Sequence, residues 1–353
     1  MIIAQGAHAM STNTSANLTF ACTSLRIQDL KGNVYHGRTL EFPESPLQTS
    51  FTYFPQGHTF QHNAPNGKPG LAYQAKYPIM ALTMPQNASE LYDCLEGVNA
   101  AGLSFSLNMY HHKGLKALAE SDYPKSIPYE ALGEWGLANF SSVAELKDAL
   151  KEAYIWSGII EVLGLNSPFH FAFYDKQGAC IVVEIKDGEL TIHDNPIGVM
   201  TNGPEFPWHL TNLNNYTQLT NVDVPVSSIG GLTLAQPDSG IATHNLPSSN
   251  TSVGRFVKAF YYSSYANRVE DADEQIVELA HIMNNFDRPK NINIVHTEQA
   301  GKQITAREYT VWTTLTDLSR GFLYVREYSK LNYTKYDFSQ FLDQKSIYSI
   351  KIN

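Results

Sequence analysis

The stretch CTSLRIQDLKGNVYHGRTLEF, residues 22–42, decides how the rest of the chain is read. Residues 22–30 and 34–42 have strand composition and flank KGN, a glycine-containing turn. The segment therefore predicts a β-hairpin that folds about residues 31–33. Such a hairpin brings Arg38 and Glu41 alongside Cys22. A guanidinium beside a thiol favours the thiolate, and a carboxylate can orient an amine or the arginine. Positions 38 and 41 are an odd number apart, so a flat strand sends them to opposite faces. Both reach Cys22 only if the strand is bulged or twisted there, or if one acts from behind. Two readings of Cys22 stand at this point. It is a small hydrophobe opening a strand, or it is a nucleophile that needs no histidine. If the chain is cut after Ala21, Cys22 gains an α-amino group, whose ordinary pKa of about 7.7–8.0 suits a base near neutrality. The Arg–Glu pair also has a plain reading, as a surface ion pair of little consequence.

The residues ahead of Cys22, MIIAQGAHAMSTNTSANLTFA, are rich in Ala, Ser, Thr and Asn and lack periodicity. They are expected to lie outside the fold, as a leader or pro-segment over 1–21 followed by a single domain over 22–353. AHA at 7–9 has the small-x-small form of a signal-peptidase site, although the regions before it are short for a signal peptide. On the nucleophile reading, activation of Cys22 would require loss of this segment, by a peptidase or by self-cleavage at Ala21–Cys22. A leader, small residues and few cysteines fit export to a bacterial periplasm or secretion, with the cytoplasm as the alternative. No run approaches eighteen consecutive apolar residues, so no membrane span is expected.

With 353 residues, 43% hydrophobic and 17% charged, the chain has the apolar content for a large core. Its net charge of −9 carries no long runs and argues against nucleic acid as a partner, since phosphate binding needs a basic face. Three cysteines make no disulfide framework. Cys180, in the apolar run GACIVVEI, reads as buried, and Cys94 as packed. Strand-like runs fall at 102–110, 169–175, 179–185, 189–194 and 309–317. SSVAELKDALKEAY (141–154) reads as a helix with Ser141 as N-cap and a capping-box spacing from Ser142 to Glu145. Residues 253–269 and 273–286 read as two further helices. The Gly/Pro/Ser-rich stretch 222–252 reads as a long irregular loop. With no repeat and no linker, this pattern predicts one layered α+β domain.

Two further residues have a bland and a sharp reading. Asn202, at the tip of GVMTNGP, is a turn former or an oxyanion donor. Arg255, near the start of a predicted helix, is solvated or faces a site. His111 and His112 lack partners at metal-ligand spacing, no HExxH or CxxC occurs, and IGG at 229–231 fits no nucleotide fingerprint. Triplets such as Asn139-Phe-Ser matter only in a source that glycosylates.

Taken in order, CTSLRIQDLKGNVYHGRTLEF, GVNAAGLS, LANFSSVAELKDAL, GVMTNGPEFPWHLTNLNNY and SVGRFVKAF resemble the choloylglycine hydrolase family, which holds conjugated bile salt hydrolases and penicillin V acylases. The likeness runs from Cys22 over nearly the whole remaining chain, and TN-x-P-x-F-x-WH with S-x-x-RF is its specific part. It implies an N-terminal-nucleophile (Ntn) hydrolase with an αββα sandwich of two mainly antiparallel sheets covered by helices. It further implies Cys22 as nucleophile, Arg38 and Arg255 as flanking arginines, and Asn202 as an oxyanion side chain. Asn99 matches an Asn shortly before the strand that completes the oxyanion hole, whose second donor falls at Asn108 or Met109. The family carboxylate in GR-x-x-D is Glu41 here. No metal or cofactor is implied. The implied partner is a small amide with an apolar acyl group: glycine- or taurine-conjugated bile salts first, penicillin V or N-acyl homoserine lactones otherwise. Relatives are commonly tetrameric, so a homo-oligomer is expected. From another class, a secreted β-rich binding protein with a buried Cys22 is the alternative.

Overall fold

The structure, a computed structural model, describes residues 21–43, 48–85, 92–160, 165–299 and 302–352. Residues 1–20 of the expected leader lie outside the described residues. The hairpin forms from β1 (Cys22–Gln28) and β2 (Val34–Pro43), with Cys22 opposite Leu40 and Gln28 opposite Val34. The first strand ends two residues earlier than its composition predicts, because Asp29 takes over the backbone donors. Its Oδ1 accepts from the Lys31 and Asn33 amides at 2.9 and 2.8 Å, and Gly32 takes a left-handed φ of 84°.

This hairpin lies in one of two large antiparallel sheets. The further labelled elements are β3 (Tyr92–Asn99), β4 (Leu103–Met109), β5 (Phe169–Asp175), β6 (Val199–Met200), β7 (Asn293–Gln299) and β8 (Lys302–Asp317). The first sheet runs β6, β1, β2, β8, Phe322–Glu327, Thr334–Asp337, with β7 on the edge of β8. The second holds β3, β4 and β5 side by side. Cys180–Lys186 and Glu189–Asp194 extend it on one flank, and Ile79–Pro85, Ser50–Phe54 and Tyr348–Lys351 on the other.

Each sheet carries helices on its outer face. On the second sheet sit α1 (Leu132–Asn139) and α2 (Val143–Glu152); a short α3 (Phe206–Asn212) follows β6; on the first sheet sit α4 (Ser252–Tyr265) and α5 (Ala272–Asn284). The result is the expected αββα sandwich. Apolar residues on both sides of each sheet bury against the helices and the opposite sheet, so the long strands read as nearly continuous buried runs. Two glycines make the helices fit. A Cβ on Gly37 would stand 2.8 Å from Met283 Sδ of α5, and one on Gly133 would overlap the Phe105 ring.

Three local expectations shift. The N-cap of α2 is Ser142, whose hydroxyl accepts from Glu145 N at 3.3 Å, while Glu145 Oε2 reaches back to Ser141 N at 2.8 Å. The 222–252 loop holds a small ribbon, Val226–Ile229 against Leu232–Ala235, before Thr251 caps α4. Most consequential, the β2–β8 register slips between Leu40 and Glu41: Leu40 faces Trp312, yet Glu41 faces Thr310. The skipped residue, Val311, lies on β8, so β2 keeps its alternation. Arg38 faces the second sheet, while Glu41, on the same side as Gly37, acts from behind the strand, on the helix side.

Candidate active site

Cys22 opens β1 at the mouth between the two sheets and is 2% exposed. Its neighbours come from both sheets and from α4. Arg38, one strand over, points its Nη2 at Cys22 Sγ, 3.6 Å away. Arg255, in the first turn of α4, donates through Nη1 to Cys22 O and to Thr23 Oγ1 at 2.8 Å, and through Nη2 to Asn202 Oδ1 at 2.6 Å. The same Asn202 oxygen accepts from Cys22 N at 3.0 Å. Glu41 is fully enclosed; its amide donates to Ala21 O at 2.9 Å and its carboxylate accepts from Thr310 Oγ1 at 3.1 Å.

The electrostatics follow from this crowding. Burial pushes the Cys22 thiol up; Arg38 opposes that most, Glu41 adds to it, and Arg255 opposes it. Burial also raises the Glu41 carboxyl, with Arg288 and Arg255 pulling it back. Arg255 falls to about 10, chiefly by desolvation, with Glu41 acting the other way. With the Ala21–Cys22 bond intact, the site therefore holds a neutral thiol beside two buried guanidinium groups.

Arg38 is also a tie between the sheets. Its Nη1 donates to Leu95 O of β3 and its Nη2 to Leu107 O of β4, while Trp312 of β8 lies 5.0 Å from its guanidinium carbon. Behind it stands Glu96, 3.3 Å from Nη1 and bonded by Ser106 Oγ at 2.7 Å and Thr314 Oγ1 at 3.4 Å. Burial raises Glu96 to about 7, against the pull of Arg38. His36 comes within 3.4 Å of Glu96, but its own value is lowered to about 3 by burial, then by Arg38. The imidazole is neutral, so that approach is a contact between neutral and half-ionised groups and no ion pair.

Asn202 sits on a frame of hydrogen bonds. Its Nδ2 donates to Met109 O at 2.9 Å, its amide to Ser252 Oγ at 3.0 Å, and its carbonyl accepts from His209 Nε2 at 2.9 Å. Asn108, next along β4, donates to Thr201 O at 2.7 Å, and its buried Oδ1 has no partner among the described residues. Met109 lines the cleft that opens in front of Cys22. Asn99 is placed elsewhere. Its Nδ2 donates to Leu137 O and Phe140 O at 2.7 and 2.8 Å, and its Oδ1 accepts from Ala101 N and Leu103 N at 3.1 and 3.0 Å. These bonds lock the β3–β4 turn to the end of α1, and the Cys22 cluster has no share in them.

The structure adds residues that no motif singles out. Arg288, just after α5, pairs through Nη1 with Glu308 Oε2 and through Nη2 with Asn250 O at 2.6 Å. Glu308, on β8, accepts Ala21 N at 2.8 Å on its other oxygen. Both line the cleft, whose volume is about 960 Å³ and whose apolar wall includes Met109, Tyr110, Pro204, Ile292 and Ile294. Glu96 shares the strand run YDCLEGVN with a second carboxylate, Asp93, and neither it nor Arg288 nor Glu308 stands in a motif.

Two antiparallel sheets faced by helices, opening on this cleft, define a hydrolase of the Ntn architecture. The chain belongs to the linear amide C–N hydrolases of the choloylglycine hydrolase family, whose family model matches residues 22–349. It is 28% identical over 336 residues to a bile salt hydrolase/transferase from Clostridium perfringens, covering 94% of this chain and 97% of that one. It is 29% identical over 298 residues to a conjugated bile acid hydrolase from Lactobacillus gasseri, covering 83% and 88%. Among solved structures, a conjugated bile acid hydrolase from Clostridium perfringens superposes with a TM-score of 0.79 at 26% identity, covering 94% of this chain and 97% of that chain. A penicillin V acylase from Agrobacterium tumefaciens shares the fold, with a TM-score of 0.72 at 20% identity over 94% and 92%. Family membership makes the chain an enzyme, a hydrolase of C–N bonds in linear amides, and sets aside the reading as a binding protein.

Proposed function

We propose that the mature protein begins at Cys22 and cleaves a linear amide through a thioester on the Cys22 sulfur. The observation that carries this reading is the convergence of Arg38, Asn202 and Arg255 on the thiol, nitrogen and carbonyl of one residue. In the first step Cys22 Sγ attacks the amide carbonyl, and the Cys22 α-amine relays the thiol proton to the departing amine. Asn202 Oδ1 steadies the Cys22 nitrogen, while one hydrogen of its Nδ2 goes to Met109 O and the second is left for the oxyanion. A well-placed donor of that kind contributes about 3–4 kcal/mol to the transition state. In the second step the same amine activates water against the thioester. Glu41 takes the place of the family Asp, held by Thr310 and facing Arg255 and Arg288. No metal or cofactor enters this scheme.

The acyl group would lie in the cleft against Met109, Tyr110 and Ile294, and the favoured substrates are glycine- and taurine-conjugated bile salts. An amine-release screen over those conjugates, penicillin V and N-acyl homoserine lactones tests this. Release from the bile conjugates, abolished in a folded Cys22→Ala variant, is the expected result. An active Cys22→Ala protein would sink the nucleophile assignment, and release from penicillin V alone would move the substrate. Intact mass should show a chain beginning at Cys22. We further propose a homo-oligomer, read by light scattering, and a periplasmic or secreted location, read by fractionation of the source cells.

A further inference from the structure

The residue ahead of Cys22 is held as firmly as Cys22 itself. Ala21 is 8% exposed and lines the cleft, and Cys22 beside it is 2% exposed. Its carbonyl accepts from Glu41 N at 2.9 Å, and its amide donates to Glu308 Oε1 at 2.8 Å. Glu308 in turn is fixed through its other oxygen by Arg288 Nη1 and by Asn293 Nδ2 at 3.2 Å. Arg288 is anchored on Asn250 O, the same carbonyl that takes Arg255 Nε at 3.0 Å. One carboxylate thus links the acyl side of the Ala21–Cys22 bond to the arginine framework of the site. No step of the amide hydrolysis described above uses it.

We propose that Glu308, clamped by Arg288 and Asn293, is a positioning residue for self-cleavage of the Ala21–Cys22 bond: it fixes residue 21 so that its carbonyl carbon faces the Cys22 thiol. The proposal rests on the reading that the mature chain begins at Cys22. A peptidase must bind several extended, accessible residues around its target bond, and burial of Ala21 and Cys22 denies it that. The chain's own thiol is already there. Its sulfur adds to the Ala21 carbonyl carbon, the oxygen takes the developing negative charge against Glu41 N–H, and the thiol proton passes to the Cys22 nitrogen. The C–N bond breaks, leaving a thioester between residue 21 and the Cys22 sulfur and a free α-amine. Water then adds to the thioester carbonyl. The segment ending at Ala21 leaves as a carboxylic acid, and the sulfur recovers its proton. Throughout, a charged acceptor on Ala21 N–H holds the acyl side in one orientation; reacting groups fixed in this way gain far more than freely turning ones.

The test uses the full chain, purified uncut or trapped early, with intact mass following the appearance of the species that begins at Cys22. Glu308→Ala should slow it roughly ten- to hundred-fold, the usual worth of a hydrogen bond to a charged group. Ala21→Pro removes the donated hydrogen and leaves every residue of the mature domain intact; it should slow the cut as well. The double variant should then be no slower than the slower single one, because both changes delete one contact. A purely structural role for Glu308 predicts instead that the two slowdowns multiply, and that result overturns the proposal. So does a Glu308→Ala chain that matures at the parent rate, or a Cys22→Ala chain that is still shortened in the purified protein. A parent chain that hydrolyses amides while keeping residues 1–21 overturns the maturation reading itself, and the role of Glu308 falls with it.

Discussion

Glu96 and His36 share the space behind Arg38 with unequal protonation, and the difference has a kinetic consequence. Glu96 titrates near pH 7, inside the working range of an amidase, whereas His36 stays neutral down to about pH 3. As Glu96 ionises it engages the Arg38 charge, and less of that charge is left to favour the Cys22 thiolate. The rate profile of the parent enzyme should therefore carry an inflection near pH 7 that Glu96→Gln lacks, with kcat at the optimum changed by less than about tenfold. An unchanged inflection in the variant would remove Glu96 from the site's titration. Nothing in the run YDCLEGVN distinguishes such a carboxylate from a surface residue on the open face of a strand. It becomes legible only once β3 is sandwiched and Arg38 arrives from the other sheet.

Elements deliver the site through their ends and irregularities. Arg38 and Glu41 keep their odd spacing and serve the site from opposite faces of β2, with the slip taken up on β8. Helix α4 delivers Arg255 because Thr251 fixes where that helix begins. Thr251 Oγ1 accepts from Gly254 N at 3.1 Å, and Thr251 O accepts from Arg255 N at 2.9 Å. Thr251→Ala should cost about 1 kcal/mol in urea denaturation, together with a fall in kcat as the first turn loosens. Gly37 sets the other contact distance. A Cβ there runs into Met283 Sδ and Leu279 of α5, so Gly37→Ala should destabilise the protein by about 1–3 kcal/mol, read from the denaturation midpoint. Hairpin, strands and three helices could be read from the chain because each has its own period and punctuation. The register slip could not, since it is a property of β2 and β8 together, and those strands lie some 270 residues apart in sequence.

Across the whole molecule, buried imidazoles set the acid limit. His36 is held at about 3 and His209 at about 4, both mainly by desolvation, against an ordinary value near 6.5. The unfolded chain takes up protons that the folded one refuses, so stability falls as pH drops from about 6.5 through these folded values, by about 2 kcal/mol per imidazole at pH 5. Glu96, raised in the folded state, acts with the opposite sign: it stabilises at low pH and loses that contribution as pH climbs toward 7. Urea midpoints between pH 7 and 5 should accordingly fall less in His209→Gln than in the parent, and more in Glu96→Gln. Parallel lines for all three proteins would refute the assignment.

The sequence by itself determined the hairpin at Cys22, the αββα class through its resemblance, and the candidates Arg38, Glu41, Asn202 and Arg255, because each lies in a local pattern or a motif of fixed order. Tertiary structure alone decided three further matters. It set Asn99 into a turn, it stacked Glu96 behind Arg38, and it brought Arg288 and Glu308 to the bond before Cys22. The physical reason is the same each time. A charge's partner is chosen by strand register and helix packing, and neither is written within the reach of one local segment.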